Sequence, residues 1–269
     1  MVPVLSELER ELHTQMVQAI ESVKDSGKMG ISFSGGVDSC LLAKICQDLG
    51  YDVLLFTMGF EDSHDVEFSK RMAKVLGMNH EVEIISETTF SNVAKKIWDE
   101  INVDNLSWNE NCIAFYYVAK LAQKHKITKV MTANGIDELF CGYNAYRDSI
   151  LEGQDAVLGM IEDKILNETR MMKAVNQITS EFGVNIAQPF LSKEFIEFAK
   201  VIPLEYKIKD KDDLVRKHLV RKLAVSIGVP EESALKLKKA MQYGSLIHKN
   251  LLKVKKTWNM NFLLCLIHS

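Results

Sequence analysis

The chain has 269 residues, 47% of them apolar and 26% charged, with a formal net charge of −3 and a pI near 6.2. This is ordinary globular composition with ample core for one large domain, or for one domain plus a helical lobe. It gives no global electrostatic case for nucleic acid, and no apolar stretch is long enough to span a bilayer. The start, Met1-Val2-Pro3-Val4-Leu5, lacks the basic-then-apolar layout of a leader. Cysteines at 40, 46, 112, 141 and 265 form no C-x-x-C and no zinc spacing. Reduced thiols in a cytoplasm are therefore expected, with Cys141 read as a small packing residue.

Leu5, Leu8, Leu12, Met16, Ile20 and Val23 recur at helical spacing and predict an amphipathic helix over 5–26. Strand and helix patterns then alternate. A strand over 29–33 leads to a helix over 39–49 ended by Gly50, and a strand over 53–57 to a helix over 65–76 ended by Gly77. A strand over 80–85 precedes a helix over 89–100, with Ser86 or Thr88 as its cap. A helix over 113–124 precedes a strand over 129–132. This order predicts an α/β fold with a doubly wound parallel sheet, whose ligand lies beyond the carboxyl ends of the strands. Loops 34–39, 57–64 and 133–138 can converge there. From about residue 150 the pattern is mostly helical, punctuated by Pro189, Pro203 and Pro230. The expected division is an N-terminal helix over 1–27, a nucleotide-binding core over 28–150, a helical lobe over 151–256 and a tail over 257–269. The apolar run Phe262–Ile267 is read as a docking strand or a tail, with no assigned function.

Ser34-Gly35-Gly36-Val37-Asp38-Ser39 carries the chemistry. A strand feeding a small-residue loop and a helix N-terminus exposes backbone N–H groups toward an anion. Gly35 and Gly36 let backbone approach the ligand closely. Asp38 would repel phosphate unless a divalent cation lay between them, which points to Mg²⁺ and a nucleotide. An ordinary glycine turn is the plain alternative. No Walker lysine follows the glycines. A second acidic stretch, Thr132-Ala133-Asn134-Gly135-Ile136-Asp137-Glu138-Leu139-Phe140-Cys141-Gly142-Tyr143, places Asp137 where it can face Asp38. Two carboxylates suit Mg²⁺, although acidic residues also favour a helix N-terminus for dipole reasons alone.

S-G-G-V-D-S resembles the pyrophosphate loop of the ATP pyrophosphatases, and D-E-L-F-C-G-Y resembles the synthetase half of asparagine synthetases. Thr57–Asp65, Lys217-His218-Leu219-Val220-Arg221 and Pro189-Phe190-Leu191 match further family segments in order, so the resemblance runs from about residue 28 to 245. It implies an adenine nucleotide alpha hydrolase-like sheet and an AMP-forming carbon–nitrogen ligase, in which ATP adenylates a carboxylate and ammonia or an amine displaces AMP. Carried over, Ser34, Gly35, Gly36, Val37, Asp38 and Ser39 hold phosphates, and Asp38 and Asp137 hold Mg²⁺. The strand end over 53–58, with Thr57 and Met58, cradles adenine, and Gly135 belongs to the second loop. Met58 fits a packing role equally well. Lys217 and Arg221 are pyrophosphate contacts or surface charge. Lys238 or Lys239, in Leu235-Lys236-Leu237-Lys238-Lys239-Ala240-Met241, stabilises the intermediate or belongs to a solvated basic face.

Departures fall on the acceptor side. Asn134 stands where the family carries Glu, Asn185 and Ala187 where Glu and Arg stand, and Asn176-Gln177 where Asp-Arg stand. The ATP half reads as intact and aspartate as a doubtful acceptor. With Val at position 2, and the loop beginning at residue 34, no glutaminase is expected in this chain. Free ammonia, another amine or a separate glutaminase subunit would supply nitrogen. A homodimer is compatible with this size. The competing readings are a tRNA-modifying adenylase and a non-catalytic ATP- or AMP-binding regulator.

Overall fold

The computed structural model describes residues 5–237 and 241–267, with the backbone alone described for 259–267. It opens with helix α1 (Glu7–Val23), closed at its start by a Ser6–Glu9 capping box. Strand β1 (Met29–Ser32) runs into helix α2 (Val37–Asp48). Strand β2 (Val53–Gly59) is followed by helix α3 (His64–Leu76), which Gly77 ends in the left-handed conformation at φ 66°. Strand β3 (His80–Ile84), helices α4 (Glu87–Ile101) and α5 (Leu106–Lys124), and strand β4 (Lys129–Met131) follow.

Five parallel strands lie in the order β3-β2-β1-β4-β5, where β5 is Asn185–Ala187. The chain builds outward from β1 through β2 to β3, then returns to the other side of β1 with β4. The order therefore reverses between β1 and β4. A crevice opens at such a point because the two following loops diverge to opposite faces. Here those loops are 33–36 and 132–135.

Every β2 residue is buried, as expected of a central strand covered on both faces. Val53 and Leu55 join one core cluster with α1, α2 and α3, while Leu54, Phe56 and Met58 join the other with α4 and α5. Beyond β4 come the short helices α6 (Ile136–Leu139) and α7 (Ala145–Ser149), then the long helix α8 (Gln154–Thr179). Helix α9 (Lys193–Val201) and helix α10 (His218–Ser226) pack with the α1 and α2 layer. Helices α11 (Glu231–Ala234), α12 (Met241–Gly244) and α13 (Ile247–Ile267) complete the chain.

The patterned elements appear where periodicity predicts them, with shifted ends. Strand β2 runs to Gly59, so Thr57 and Met58 are strand residues and the turn shrinks to 60–63. Helix α5 begins at Leu106 under an Asn105 cap. Its first turns carry buried Asn109 and Glu110, which hide a helix from an apolar-spacing test. Strand β5 was not predicted: three residues carry too little pattern, and it is held from outside. Asn176 of α8 accepts from the Ile186 N–H at 2.8 Å and donates to the Ile186 carbonyl at 3.0 Å. The run Phe262–Ile267 continues α13 as helix, which corrects its reading as a strand. Among the described residues no helix is long and apolar enough to cross a membrane.

Gly30 sets how closely β1 and β2 pack on the α5 face. A Cβ there would lie 2.5 Å from the Phe56 ring and 2.9 Å from Val130. Gly30→Ala is expected to destabilise the fold by about 1–3 kcal/mol through overpacking. Thermal unfolding would register this as a lower Tm.

Candidate functional site

The loop between β1 and α2 is fixed from several directions. Gly35 adopts φ 76°, open to glycine at no steric cost. Its carbonyl accepts from the Ser233 hydroxyl at 2.7 Å and from the Cys40 thiol at 3.1 Å. The Gly36 N–H donates to Ser34 Oγ at 3.3 Å, and Ser39 Oγ donates to the Gly36 carbonyl at 3.1 Å. Gly36 caps α2 without any side-chain hydrogen bond. The helix N-terminus, with its partial positive charge, is thus presented to the crevice.

That crevice is a cavity of about 300 Å³. It is lined by Ser34, Gly36, Val37, Asp38 and Ser39 after β1, and by Phe56, Thr57 and Met58 of β2. Asn134, Asp137, Lys217 and Arg221 also line it. Gly35 and Gly135 stand behind the lining as backbone supports. The Gly135 N–H donates to Glu138 at 3.0 Å, and a Cβ at Gly135 would lie 2.6 Å from the Phe190 carbonyl oxygen. The Thr57 hydroxyl is engaged with the Phe33 carbonyl and with His80 Nε2 at 2.8 Å. Thr57 therefore offers the cavity its backbone and methyl group.

Asp38 and Asp137 do face one another, and the Lys217 ammonium lies between them. Nζ is 2.7 and 2.9 Å from the two Asp38 oxygens and 3.0 Å from Asp137 Oδ1. The Lys217 side chain is only 3% exposed. Burial pulls its pKa down, but the Asp137 and Asp38 carboxylates outweigh that and hold it above the usual lysine value.

Arg221, also buried, donates to the backbone carbonyls of Arg216 at 2.9 Å, Ala234 at 2.6 Å and Lys236 at 2.8 Å. Its Nη2 is buried with no hydrogen-bond partner among the described residues. An unmet buried donor costs about 1–3 kcal/mol, which an anion in the cavity would relieve.

Lys217 reaches this position through an unusual backbone. Arg216 and Lys217 both sit at positive φ, 49° and 53°, a conformation that neither side chain favours. Asp213 holds the turn. It accepts from the N–H groups of Arg216 and Val215 at 3.0 Å and of Lys209 at 3.0 Å, and lies 2.6 Å from His218 Nε2. Arg216 in turn donates to the Gly142 carbonyl at 3.3 and 3.2 Å, tying the turn to the Asp137 loop.

Residues outside the sequence reading also enter the cavity. Glu168 of α8 accepts from Asn134 Nδ2. Lys236 lies 2.6 Å from His64 Nε2 and 3.1 Å from the Phe68 ring centre. One signal for Glu168 exists in the sequence. It falls in the buried stripe Val157, Ile161, Met171, Met172 and Val175 of α8, where a carboxylate is out of place. Lys238 and Lys239 lie outside the described residues.

Burial raises the Asp213 pKa, yet hydrogen bonds from Arg216 and Lys209 and the His218 ring bring it down to about 2. The ordinary aspartate value is about 3.9. The resulting stability is present above the unfolded value and lost as pH falls through the folded one. Asp213→Asn is expected to lose about 2 kcal/mol near neutral pH, with its gap from wild type closing between about pH 5 and 2. Denaturant unfolding at several pH values checks this.

A sequence model of the asparagine synthase family matches residues 11–175 and 160–258. A Methanocaldococcus jannaschii protein named for asparagine synthetase [glutamine-hydrolyzing] is 29% identical over 276 aligned positions, covering 90% of this chain and 50% of that one. Asparagine synthetase [glutamine-hydrolyzing] 1 of Bacillus subtilis is 33% identical over 125 positions, 45% of this chain and 19% of that protein. The chain thus spans half or less of the length of these relatives. Among solved structures, NMN synthetase from Francisella tularensis aligns at a TM-score of 0.47 and 14% identity, over 89% of this chain and 78% of that one. On the extent of the family match, this chain belongs to the asparagine synthase family.

Proposed function

We propose that this chain is an ATP-dependent ligase that adenylates a carboxylate and passes the acyl group to ammonia or an amine. The observation that carries the reading is a set of donors lining one cavity. Free N–H groups at the start of α2, the Lys217 ammonium and the unmet Arg221 Nη2 donor all meet there.

The substrate carboxylate attacks the α-phosphorus of ATP, a P–O bond forms, and the bond to the β-phosphate oxygen breaks. Pyrophosphate leaves with that electron pair. The N–H groups of the 34–39 loop, with Lys217 and Arg221, take up the charge that gathers on the leaving oxygens. The end of β2, where Phe56, Thr57 and Met58 line the cavity, would receive adenine. Positioning and fixed charge supply most of the rate, with no covalent step on a side chain.

Asp38 and Asp137 fit Mg²⁺. They already draw one cation into the cavity, the Lys217 ammonium. A two-carboxylate site suits an ion that keeps its waters and takes phosphate oxygens. When bound, Mg²⁺ neutralises polyphosphate charge. The family resemblance would give Lys238 or Lys239 the role of stabilising the intermediate. Nitrogen would come from free ammonia, an amine or a separate glutaminase.

The test is release of pyrophosphate and AMP from Mg-ATP with ammonium across a panel of carboxylic acids, aspartate included. Acid-dependent release is expected, and Asp38→Asn should cut it by about 10²–10³-fold, of the order seen when one charge-stabilising group is removed. ADP and inorganic phosphate as products, or full turnover by Asp38→Asn, would overturn the proposal.

A further inference from the structure

Part of the cavity wall takes no role in the chemistry above, where α5 and α12 come together. Ser107 and Asn111 of α5 line it, and so do Met241 and Gln242 of α12. Beside these residues in the chain stand two groups that do not line the cavity, Glu110 of α5 and His248 of α13. His248 Nδ1 lies 2.6 Å from Glu110 Oε1. Glu110 is 2% exposed, whereas the His248 side chain is 26% exposed. The Tyr243 ring of α12 covers the imidazole, with 4.7 Å between ring centres. A buried carboxylate facing a partly open imidazole connects the interior to the pH of the solvent.

The backbone between α12 and α13 is strained. Leu246 sits at φ 67°, a conformation costly for a side chain of this size. The segment is pinned on its other side as well. The Phe60 N–H donates to the Ser245 carbonyl at 3.1 Å, and a Cβ at Gly244 would stand 2.0 Å from Asp65 Oδ1. The Glu110–His248 contact ties the same segment to α5. Burial raises the Glu110 pKa above its ordinary value, and the His248 hydrogen bond and charge offset part of that rise. Helices α4 and α8 also pack against α5, but among the described residues no charge other than His248 bears on this carboxyl.

We propose that Glu110 and His248 are positioning residues, a clasp that holds the α12 wall of the cavity closed with one shared proton. The clasp does not depend on which reaction the cavity carries. Holding one proton, the pair is neutral overall, either as carboxylate and imidazolium or as carboxylic acid and imidazole. It can then stay buried. Once that proton is lost, a carboxylate is left inside without a countercharge, and opening to water relieves it. Because the folded value of Glu110 is raised, its contribution to closure is present at acid pH and is lost as pH rises through that value. Opening frees the strained turn at Leu246, and Met241 and Gln242 move with it. A cavity occupant is therefore held more tightly at acid than at alkaline pH.

Two measurements decide the assignment. The first uses the protein alone: amide hydrogen exchange of a peptide spanning 242–250, from about pH 5.5 to about pH 8.5. Rates are divided by the intrinsic rate at each pH, so that base catalysis of exchange cancels. Wild type is expected to lose protection by about tenfold as pH rises. Glu110→Gln has the same shape without a titrating group and should stay nearly level, as should a control peptide over 37–48 in both proteins. A wild-type response that persists in Glu110→Gln, or no response in wild type, would overturn the clasp. The second is Mg-ATP affinity by calorimetry over the same range. The ratio of wild-type to Glu110→Gln Kd cancels the titration of ATP itself and is expected to rise by about threefold or more toward alkaline pH. A ratio that does not change with pH would overturn the link between clasp and cavity. Absence of Mg-ATP binding in wild type at every pH would count against the nucleotide reading, and hydrogen exchange would still decide the clasp.

Discussion

A buried ammonium shared by two carboxylates holds this site together. Lys217 binds Asp38 at the start of α2 and Asp137 in α6, so one side chain joins segments that are 179 and 80 positions away in the chain. Breaking such a pair by removing one partner costs far more than the pair contributes net, because a charge is left buried without compensation. The two carboxylates are therefore held at a fixed separation, and the loops after β1 and β4 are held with them. The backbone strain at Arg216 and Lys217 is the cost of that placement, and the Asp213 network offsets it.

From that constraint the division of the cavity follows. The side toward α2 is rich in donors: the uncapped helix N-terminus, Lys217 and the unsatisfied Arg221 Nη2. The side toward α8 ends in acceptors, Glu168 and Glu138. A polyanion would be drawn to the donor-rich side. Such pre-arranged charge acts without reorganising during the reaction, which is where a site of this kind gains rate.

The fold was legible where the physics is local. Alternating strands and helices, Gly50 and Gly77 as stops, and the strand–loop–helix around Gly35 and Gly36 each follow from spacing and backbone freedom. The meeting of Asp38 and Asp137 could be anticipated from the position of their loops at the sheet's carboxyl edge. What could not be read depends on distant contacts. Strand β5 is three residues held by Asn176, and helix α5 starts on polar residues that happen to be buried. Glu168 lies 34 positions from its partner Asn134, so nothing in the 132–143 motif announces it. Lys217 was legible as a charged group near phosphate but not as the bridge between the two aspartates, because that depends on a left-handed turn no local pattern predicts.

The central claim, that a carboxylate oxygen attacks the α-phosphorus, is tested most directly by isotope transfer. Whichever acid supports pyrophosphate release would be supplied with oxygen-18 in its carboxylate, and the AMP product examined by mass spectrometry. The account predicts one oxygen-18 atom in each AMP formed during amide synthesis. AMP that carries no label from the acid, and instead takes up oxygen from labelled water, would contradict it.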